Sequence, residues 1–250
     1  MSAPLVSIIT PLYNAETLFS STASSVLAQT YQDFEWIIID DCSTDSSADI
    51  AFELSQKDSR IVFVKCDVNR GSAAARNKGL EIARGRYITF LDADDLLEPN
   101  YLESQLAFIQ DNGPIITASY KRVTPFSETV FHVPATATYK SILKGNPLSC
   151  LTTMYDRRVF ENARFPEDMN RHEDYVFWAL MLKQGYEAKG NLEILATYRL
   201  QATSKNSNKA KLIKPMIDAY HKKLGLSYIS SVFHTIGYVF YSKKKYKGVK

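Results

Sequence analysis

The 250-residue sequence predicts a doubly wound α/β fold with a mostly parallel sheet. In the first half of the chain, three strand–loop–helix units and a fourth strand follow one another. The predicted strands are short continuous apolar runs, which is typical of strands buried on both faces. Polar clusters follow three of these runs, at residues 10–14, 40–45 and 92–95. In such sheets ligands bind outside the carboxyl ends of the strands, so the clusters predict a site there.

The elements of the first half have clear boundaries. The predicted strands are 5–10, which Pro11 ends, then 34–39, 61–64 and 86–90. The predicted helices are 15–29, a helix capped within 43–45 that runs to about Lys57, and 72–83, which Arg84-Gly85 closes.

The second half is less regular. We expect a helix over 99–111, a strand over 114–120, and an antiparallel portion of short pieces over 121–150. A helix over 175–182 ends near Gly185, and a last strand over 193–200 precedes a polar loop over 203–211. The chain therefore divides into one domain over 1–222, with halves at about 1–120 and 121–222, and a basic tail over 223–250.

The strand at 86–90 runs into three carboxylates, those of Asp92, Asp94 and Asp95. Neighbouring carboxylates raise one another's pKa, and a divalent cation relieves that cost. Mg2+ is usually held by one or two carboxylates together with substrate phosphates, so the stretch suggests a metal–phosphate site. The alternative is a solvated Asp-rich turn that caps the next helix.

Composition and missing motifs argue against several classes of protein. The net charge of +3 is too small for a nucleic-acid binder. Three widely spaced cysteines form neither a disulfide framework nor a metal site, and they fit a reducing compartment. The N-terminus shows no basic signal-peptide region. No GxGxxG or GxxxxGK[ST] motif is present, which disfavours a classical dinucleotide site and a P-loop.

Six ordered motifs resemble those of a known family. They are 6–14 (VSIITPLYN), 40–45 (DDCSTD), 69–71 with 75–77 (NRG, ARN), 90–95 (FLDADD), 172–174 (HED), and Tyr198-Arg199 with Ser204. Together they resemble family 2 glycosyltransferases of the GT-A fold over roughly residues 5–206. Within that family the chain looks most like short bacterial enzymes that extend lipid-linked surface polysaccharides, such as teichuronic acid and O-antigen sugar transferases.

The resemblance implies a UDP-sugar donor and a role for each matching residue. Asp41 would accept a hydrogen bond from the uracil N3–H, although it could also be a helix-capping turn residue. Asp92 would contact ribose or metal, Asp94 would hold Mn2+ or Mg2+ on the diphosphate, and Asp95 could be structural or ligating. The residues implied to line the uracil and ribose or to border the sugar-nucleotide are Thr10, Pro11, Tyr13, Asn69, Gly71 and Arg76.

Asp174 is the candidate general base. A positioned carboxylate can take the proton of a sugar hydroxyl, which is a poor nucleophile at neutral pH. One base opposite the leaving group is the arrangement for displacement with inversion, and the resemblance implies the same. Glu173 competes for this role, and His172 could either contact the acceptor or support the residues that do. An acidic pair at a helix start could also simply complement the helix dipole.

The chain departs from the resemblance at one metal position. Many relatives have a histidine shortly after the Tyr-Arg pair, where this chain has Leu200-Gln201, so the third protein ligand is open or water fills the position. No Gln-x-x-Arg-Trp motif or multi-span region appears, which favours non-processive transfer. The rival classes are a nucleotidyltransferase and a non-catalytic sugar-nucleotide-binding module.

The tail has no formally charged residue over 224–241 and has lysines on both sides. It is too short and polar to span a bilayer comfortably, and an in-plane interfacial helix fits better. The alternative is a helix packed on the domain. We therefore expect a cytoplasmic protein with peripheral contact through 224–250 to the inner membrane, acting on a saccharide acceptor that is lipid-linked.

Overall fold

The computed structural model describes residues 4–169, 171–200 and 213–245. The predicted polar loop 203–211, Gln201, Ser204 and the last five residues lie outside the described residues. The strands are β1 (Val6–Leu12), β2 (Phe34–Asp40), β3 (Ile61–Lys65), β4 (Tyr87–Phe90), β5 (Leu96–Leu97), β6 (Ile115–Val123), β7 (Glu128–Phe131), β8 (Thr136–Ala137), β9 (Met154–Asp156) and β10 (Ala188–Arg199). The helices are α1 (Glu16–Leu27), α2 (Ser47–Lys57), α3 (Ser72–Ile82), α4 (Tyr101–Asn112), α5 (Tyr139–Ile142), α6 (Glu173–Lys183), α7 (Ile213–Asp218) and α8 (Tyr228–Lys245).

The strands form one sheet in the order β3-β2-β1-β4-β9-β6-β10-β5, with β7 beside β6 and β8 beside β10. The first four strands in this order are mutually parallel, as their apolar runs predicted. Beyond β4 the sheet is mixed, because β9 pairs antiparallel with both β4 and β6 whereas β10 runs parallel to β6. The α/β prediction, with its antiparallel second part, is confirmed.

Strand β1 continues through Pro11, so the prediction that Pro11 ends it was wrong. Pro11 faces Ile39 of β2 in register, whereas the pairing of β1 with β4 stops at Ile9 opposite Phe90. The missing N–H of proline therefore lies beyond the last β4 pair and costs no hydrogen bond of that ladder.

Two elements differ from the sequence prediction in the second half. Strand β9, only three residues long, was not predicted, and it is the strand that joins the parallel part to β6. Strand β10 begins at Ala188 rather than at 193, and its pairing with β6 shifts register between Asn191 and Ala196. That irregularity breaks the alternating pattern by which strands are predicted.

An aromatic cluster supports the carboxyl end of β4. Phe90, the last residue of β4, has edge-to-face contacts with Phe165 and Phe177, at centroid distances of 5.1 and 5.8 Å. Phe165 and Phe177 are stacked at 3.9 Å. Because Phe177 belongs to α6, the cluster ties that helix to the strand that precedes the three carboxylates.

The segment after 213 packs on the domain. Met216, Tyr220 and Leu224 are buried in the core beside α6, and the Tyr220 hydroxyl donates to the Leu143 carbonyl oxygen at 2.7 Å. Helix α8 follows, and its Tyr241 ring lies against Gly145 so closely that a Cβ there would be 2.0 Å from it. Among the described residues, no helix has both the length and the hydropathy that a membrane span requires.

Candidate active site

The loops that follow β1 and β2 are tied together at the carboxyl edge of the sheet. The Asn14 side-chain oxygen accepts from the Thr44 backbone N–H at 2.8 Å, and the Ser47 hydroxyl accepts from the Ala15 N–H at 2.7 Å. These bonds satisfy backbone donors where α1 and α2 begin, which fixes the two helix starts beside each other. The edge is therefore a shaped surface rather than a set of loose loops.

Asp41 is buried in this edge and holds the loop before α3. Its two carboxylate oxygens accept the backbone N–H groups of Arg70 and Gly71 at 2.9 and 2.7 Å, and the Asn69 side chain donates to its carbonyl oxygen at 2.8 Å. Gly71 has a φ of 88°, a conformation that favours glycine. The structure therefore brings together Asp41, Asn69 and Gly71, three residues predicted to bind the nucleotide-sugar.

The side chains at the end of β1 and in the loop after it differ in solvent exposure. Thr10 is fully buried, and its hydroxyl accepts from the Trp36 indole N–H at 2.9 Å. Pro11 is half-buried, whereas Tyr13 leaves 51% of its surface exposed. Of the three residues predicted to line the uracil and ribose, Tyr13 is thus the side chain most available to a ligand, while the Thr10 hydroxyl is engaged within the core.

The three carboxylates after β4 have different environments. Asp92 is partly exposed, while burial and the nearby Asp92 carboxylate raise the pKa of Asp94 to about 6. Asp95 is buried, and burial raises its pKa well above the usual range. Its Oδ1 accepts the Arg199 backbone N–H at 2.9 Å, which gives Asp95 a structural role at the end of β10.

Arg199 clamps the acidic loop to α1. Its guanidinium donates to the Asp94 carbonyl oxygen and to the hydroxyls of Ser21 and Thr22, at 2.6 and 2.9 Å for the two hydroxyls. Thr22 in turn donates to the Ala93 carbonyl oxygen at 2.9 Å. The Tyr-Arg motif is evident in the sequence, but this supporting role of Arg199 was not predicted, because its partners are 105 positions away in the acidic loop and 177 or 178 positions away in α1.

Arg76 connects the two acidic parts of the site. Its guanidinium donates to the Asp92 carboxylate at 2.6 Å, and its Nη1 lies 3.7 Å from the Glu173 carboxylate. The side chain is buried, and its Nε and Nη1 atoms have no hydrogen-bond partner among the residues that the structure describes. Burial is the largest effect and works against the charged form, but the neighbouring groups, led by the Asp92 carboxylate and including that of Glu173, together outweigh it and raise the pKa of Arg76, so the guanidinium stays charged.

Helix α6 begins with the acidic pair. His172 precedes it in a left-handed conformation with a φ of 65°, and Glu173 accepts from the Ser72 hydroxyl at 3.0 Å. Asp174 lies in the first turn, and burial, followed by the Glu173 carboxylate, raises its pKa. Both Glu173 and Asp174 are only partly buried, so each can reach a ligand at this edge.

The carboxylates suit a divalent cation. In the part of the chain that the structure describes, no group of three or more His, Cys, Asp or Glu side chains is placed to hold a metal. Asp92 and Asp94 offer oxygen ligands, and the raised pKa of Asp94 reflects a burial and like-charge cost that a cation would relieve. This donor set fits Mg2+ or Mn2+ bound jointly by protein and substrate phosphates.

Two cavities lie at the other end of the sheet, lined by basic side chains such as Arg84, Arg86 and Arg157. Arg84 pairs with Glu35 at 2.8 Å and Arg86 with Asp156 at 2.9 Å. Two of these three charges are thus paired with carboxylates, Arg157 donates to the Ala83 carbonyl oxygen, and the cavities contain none of the predicted site residues.

Comparison with known proteins agrees with this geometry. The family model Glycosyl transferase family 2 matches residues 7–166. The chain is 38% identical, over 97% of both chains, to a protein of Bacillus subtilis (strain 168) named as the teichuronic acid biosynthesis glycosyltransferase TuaG. It is 36% identical, over 90% of this chain and 92% of the relative, to the Escherichia coli UDP-Glc:alpha-D-GlcNAc-diphosphoundecaprenol beta-1,3-glucosyltransferase WfaP.

Solved structures share the fold. Staphylococcus aureus TarS 1-349 in complex with UDP-GlcNAc has a TM-score of 0.76 and 20% identity, over 98% of this chain and 76% of that chain. The mannosyltransferase PcManGT from Pyrobaculum calidifontis, in complex with GDP-Man and Mn2+, has a TM-score of 0.68 and 19% identity, over 96% of this chain and 70% of that chain. The predicted GT-A fold is confirmed, and the chain belongs to glycosyl transferase family 2.

Proposed function

We propose that this protein is an inverting, metal-dependent, non-processive transferase that moves one sugar from a UDP-sugar to a hydroxyl of a lipid-linked saccharide. The observation that carries the proposal is the bridge formed by Arg76, which joins Asp92 on the donor side to Glu173 on the acceptor side. A transferase must hold the donor sugar and the acceptor hydroxyl close enough to react, so the residues that bind them must be neighbours. The WfaP name, with a UDP-Glc donor and a diphosphoundecaprenol acceptor, supports the same substrate classes.

The donor would lie along the edge formed by the β1 loop, Asp41 and the loop before α3. Tyr13 is exposed enough to stack on the base. The Asp41 carboxylate already accepts two backbone N–H groups, but each of its oxygens keeps a lone pair for the uracil N3–H. Two nitrogens of Arg76, Nε and Nη1, have no hydrogen-bond partner among the described residues, so they could donate to the bound sugar-nucleotide.

Asp174 would act as the general base. It takes the proton of the acceptor hydroxyl while that oxygen bonds to the anomeric carbon, and the bond from this carbon to the diphosphate oxygen breaks, which releases UDP. The raised pKa of Asp174 makes it a stronger base than an ordinary aspartate, provided that the pH keeps it ionised. Attack opposite the leaving group inverts the anomeric configuration.

Asp94 and Asp92 would hold Mn2+ or Mg2+ together with the diphosphate. The bound cation supplies electrostatic stabilisation of the negative charge that develops on the leaving UDP. Arg76 would keep Asp92 in place and balance the negative charge of Asp92 and Glu173.

The names of the relatives support a lipid-linked acceptor, and a lipid-linked acceptor in turn supports a location at a membrane. The name of WfaP includes a diphosphoundecaprenol-linked GlcNAc, and TuaG is named for teichuronic acid biosynthesis. We therefore infer that the protein extends a lipid-linked precursor of a bacterial surface polysaccharide, at the cytoplasmic face of the inner membrane.

A donor panel tests the proposal. Purified protein is incubated with UDP-sugars and GDP-sugars, with Mn2+, with Mg2+ or with EDTA, and release of UDP or GDP is measured, hydrolysis included. We expect UDP release from at least one UDP-sugar, loss of release in EDTA, and loss in Asp94→Asn but not in the exposed control Asp111→Asn. A blank panel with metal, release that EDTA leaves unchanged, or release of GDP alone would contradict the proposal.

A further inference from the structure

We propose that α8 is an in-plane membrane anchor, whose outward face inserts into an anionic bilayer and holds the acceptor side of the active site against it. The biological role of this anchor rests on the proposed function, since a lipid-linked acceptor lies at a bilayer surface. The two faces of α8 support the anchor independently of that function.

The outward face of α8 is an apolar stripe. It contains Ile229, Phe233, Ile236 and Phe240, which are 83%, 73%, 53% and 66% exposed. These positions are spaced by 4, 3 and 4 residues, so they fall within a sector of about 60° on a helix with 100° per residue. We call these four residues the outer stripe.

The inward face of α8 is polar and aromatic. Ser231 and Thr235 are buried, and their hydroxyls donate to backbone carbonyl oxygens one turn earlier at 2.8 Å. Tyr238 lies on the same side, with its ring 5.6 Å from that of Tyr175. A helix that only packs on its domain turns its apolar side inward. In α8 the most apolar side is turned outward, which indicates that it faces an apolar environment outside the domain.

Charge favours an anionic bilayer as that environment. From Ala219 to the C-terminus the sequence has seven lysines and no acidic residue: two before α8, three at its end and two after it. The whole chain carries +3, so the preceding 218 residues carry −4. Lys222 and Lys223 pair with Asp218 and Asp168, so the five later lysines supply most of the attraction to anionic headgroups.

The same charges disfavour a second copy of the chain as the occupant. An antiparallel pair of α8 helices would set the lysines at the start of one helix against those at the end of the other. A parallel pair would set the three terminal lysines against one another. Like charges held this close repel, whereas an anionic lipid surface attracts all of them.

The inward face places the anchor beside the catalytic turn. The Tyr238 ring is 5.6 Å from the His172 ring, and His172 precedes the Glu173–Asp174 pair by one residue. The outer stripe is therefore about one helix diameter, roughly 10 Å, from the start of α6. A bilayer on the outer stripe would lie on the acceptor side of the site, where the saccharide of a lipid-linked acceptor can reach Asp174.

Vesicle co-sedimentation of the full chain tests the anchor. The probes are phosphatidylcholine vesicles and vesicles of phosphatidylcholine and phosphatidylglycerol in equal amounts. We expect binding to the mixed vesicles, weakened by added salt. The double variant Ile229→Ser/Phe233→Ser should bind about a hundredfold more weakly, since burying each of these side chains contributes roughly tenfold or more. Leu192→Ser, which removes another exposed side chain, should bind like the natural protein.

Three outcomes would overturn the anchor: no binding of the natural protein to mixed vesicles, equal binding by the double variant, or lipid-free self-association that the double variant abolishes. UDP release without vesicles should be equal in the natural protein and the double variant, which shows that the variant is folded. Vesicle binding needs no turnover. A protein that binds vesicles but releases no UDP would thus refute the proposed function alone, and one that releases UDP but binds no vesicles would refute the anchor alone.

Discussion

Arg76→Met should destabilise the protein strongly, because it removes a buried cation from between several carboxylates. The Arg76 side chain is 6% exposed and donates to Asp92 at 2.6 Å, with Glu173 at 3.7 Å. Without the guanidinium, these carboxylates and that of Asp94 would repel one another. Asp92→Asn should relieve part of the repulsion, so the double variant should be more stable than the sum of the two single changes implies.

The size of the effect follows from burial. Removing one partner of a buried ion pair costs about 3–5 kcal/mol. The Asp92 side chain is 37% exposed, so water compensates in part, and we expect a loss of about 2–3 kcal/mol for Arg76→Met. For residues in direct contact, the coupling in a double-mutant cycle is of the order of 1–2 kcal/mol.

Urea unfolding in EDTA measures all four proteins of the cycle without interference from metal. Stability changes are taken from the midpoint at constant slope. If the losses of the two single variants add to within about 0.5 kcal/mol in the double variant, Arg76 does not act through Asp92, and the bridge between donor and acceptor sides is refuted.

Three further predictions concern the clamp, the tail and the base. Arg199→Ala should weaken metal-dependent donor binding at least severalfold, because it releases the Asp94 loop from α1. The control Arg164→Ala, which loses only local carbonyl contacts, should bind the donor normally. Equal donor affinities of Arg199→Ala and the natural protein, measured by titration, would contradict the clamp. Gly145→Ala should displace the Tyr241 ring, loosen α8 and increase proteolysis within α8. Gly237→Ala, with open space around the added Cβ, should instead stabilise the helix by about 1 kcal/mol. Equal proteolysis of the Gly145 variant and the natural protein would contradict this packing. Glu173→Gln should move the acidic limb of the kcat/KM–pH profile to lower pH, because Glu173 helps to raise the pKa of Asp174 and the base must be ionised. An acidic limb that stays in place or moves to higher pH would show that the pKa of Asp174 does not determine this limb.

The parallel half of the sheet was predictable because its information is local. Strands β1 to β4 are continuous apolar runs, and the polar residues after them had to meet at one edge once the strands were parallel. The order of motifs then singled out Asp92, Asp94 and Asp174. Strand β9 was not predictable in this way, because it is three residues long and follows Thr152 and Thr153, which are buried but look like loop residues in the sequence. Their hydroxyls are satisfied by bonds with Thr117 that only the fold creates.

Contacts between distant charges were beyond sequence reasoning for the same reason. Arg76 and Glu173 are 97 positions apart, and Arg199 contacts α1 across most of the chain. No local pattern records such pairs, although the buried position of Arg76 in a small-residue helix was a signal that it needed anionic partners. For α8, the sequence shows an apolar stripe but not its direction, and the usual expectation of an inward stripe is reversed here.

In the proposed mechanism, one site binds the UDP-sugar, and Asp174 takes the acceptor proton there. The most direct test compares Asp174→Asn with the natural protein for UDP affinity in the presence of Mn2+ and for sugar transfer to a diphosphoundecaprenol-linked saccharide. We predict an unchanged affinity for UDP and a transfer rate lower by about a hundredfold or more, while Asp168→Asn, on the same segment, transfers normally. Transfer by Asp174→Asn at the natural rate would contradict the account.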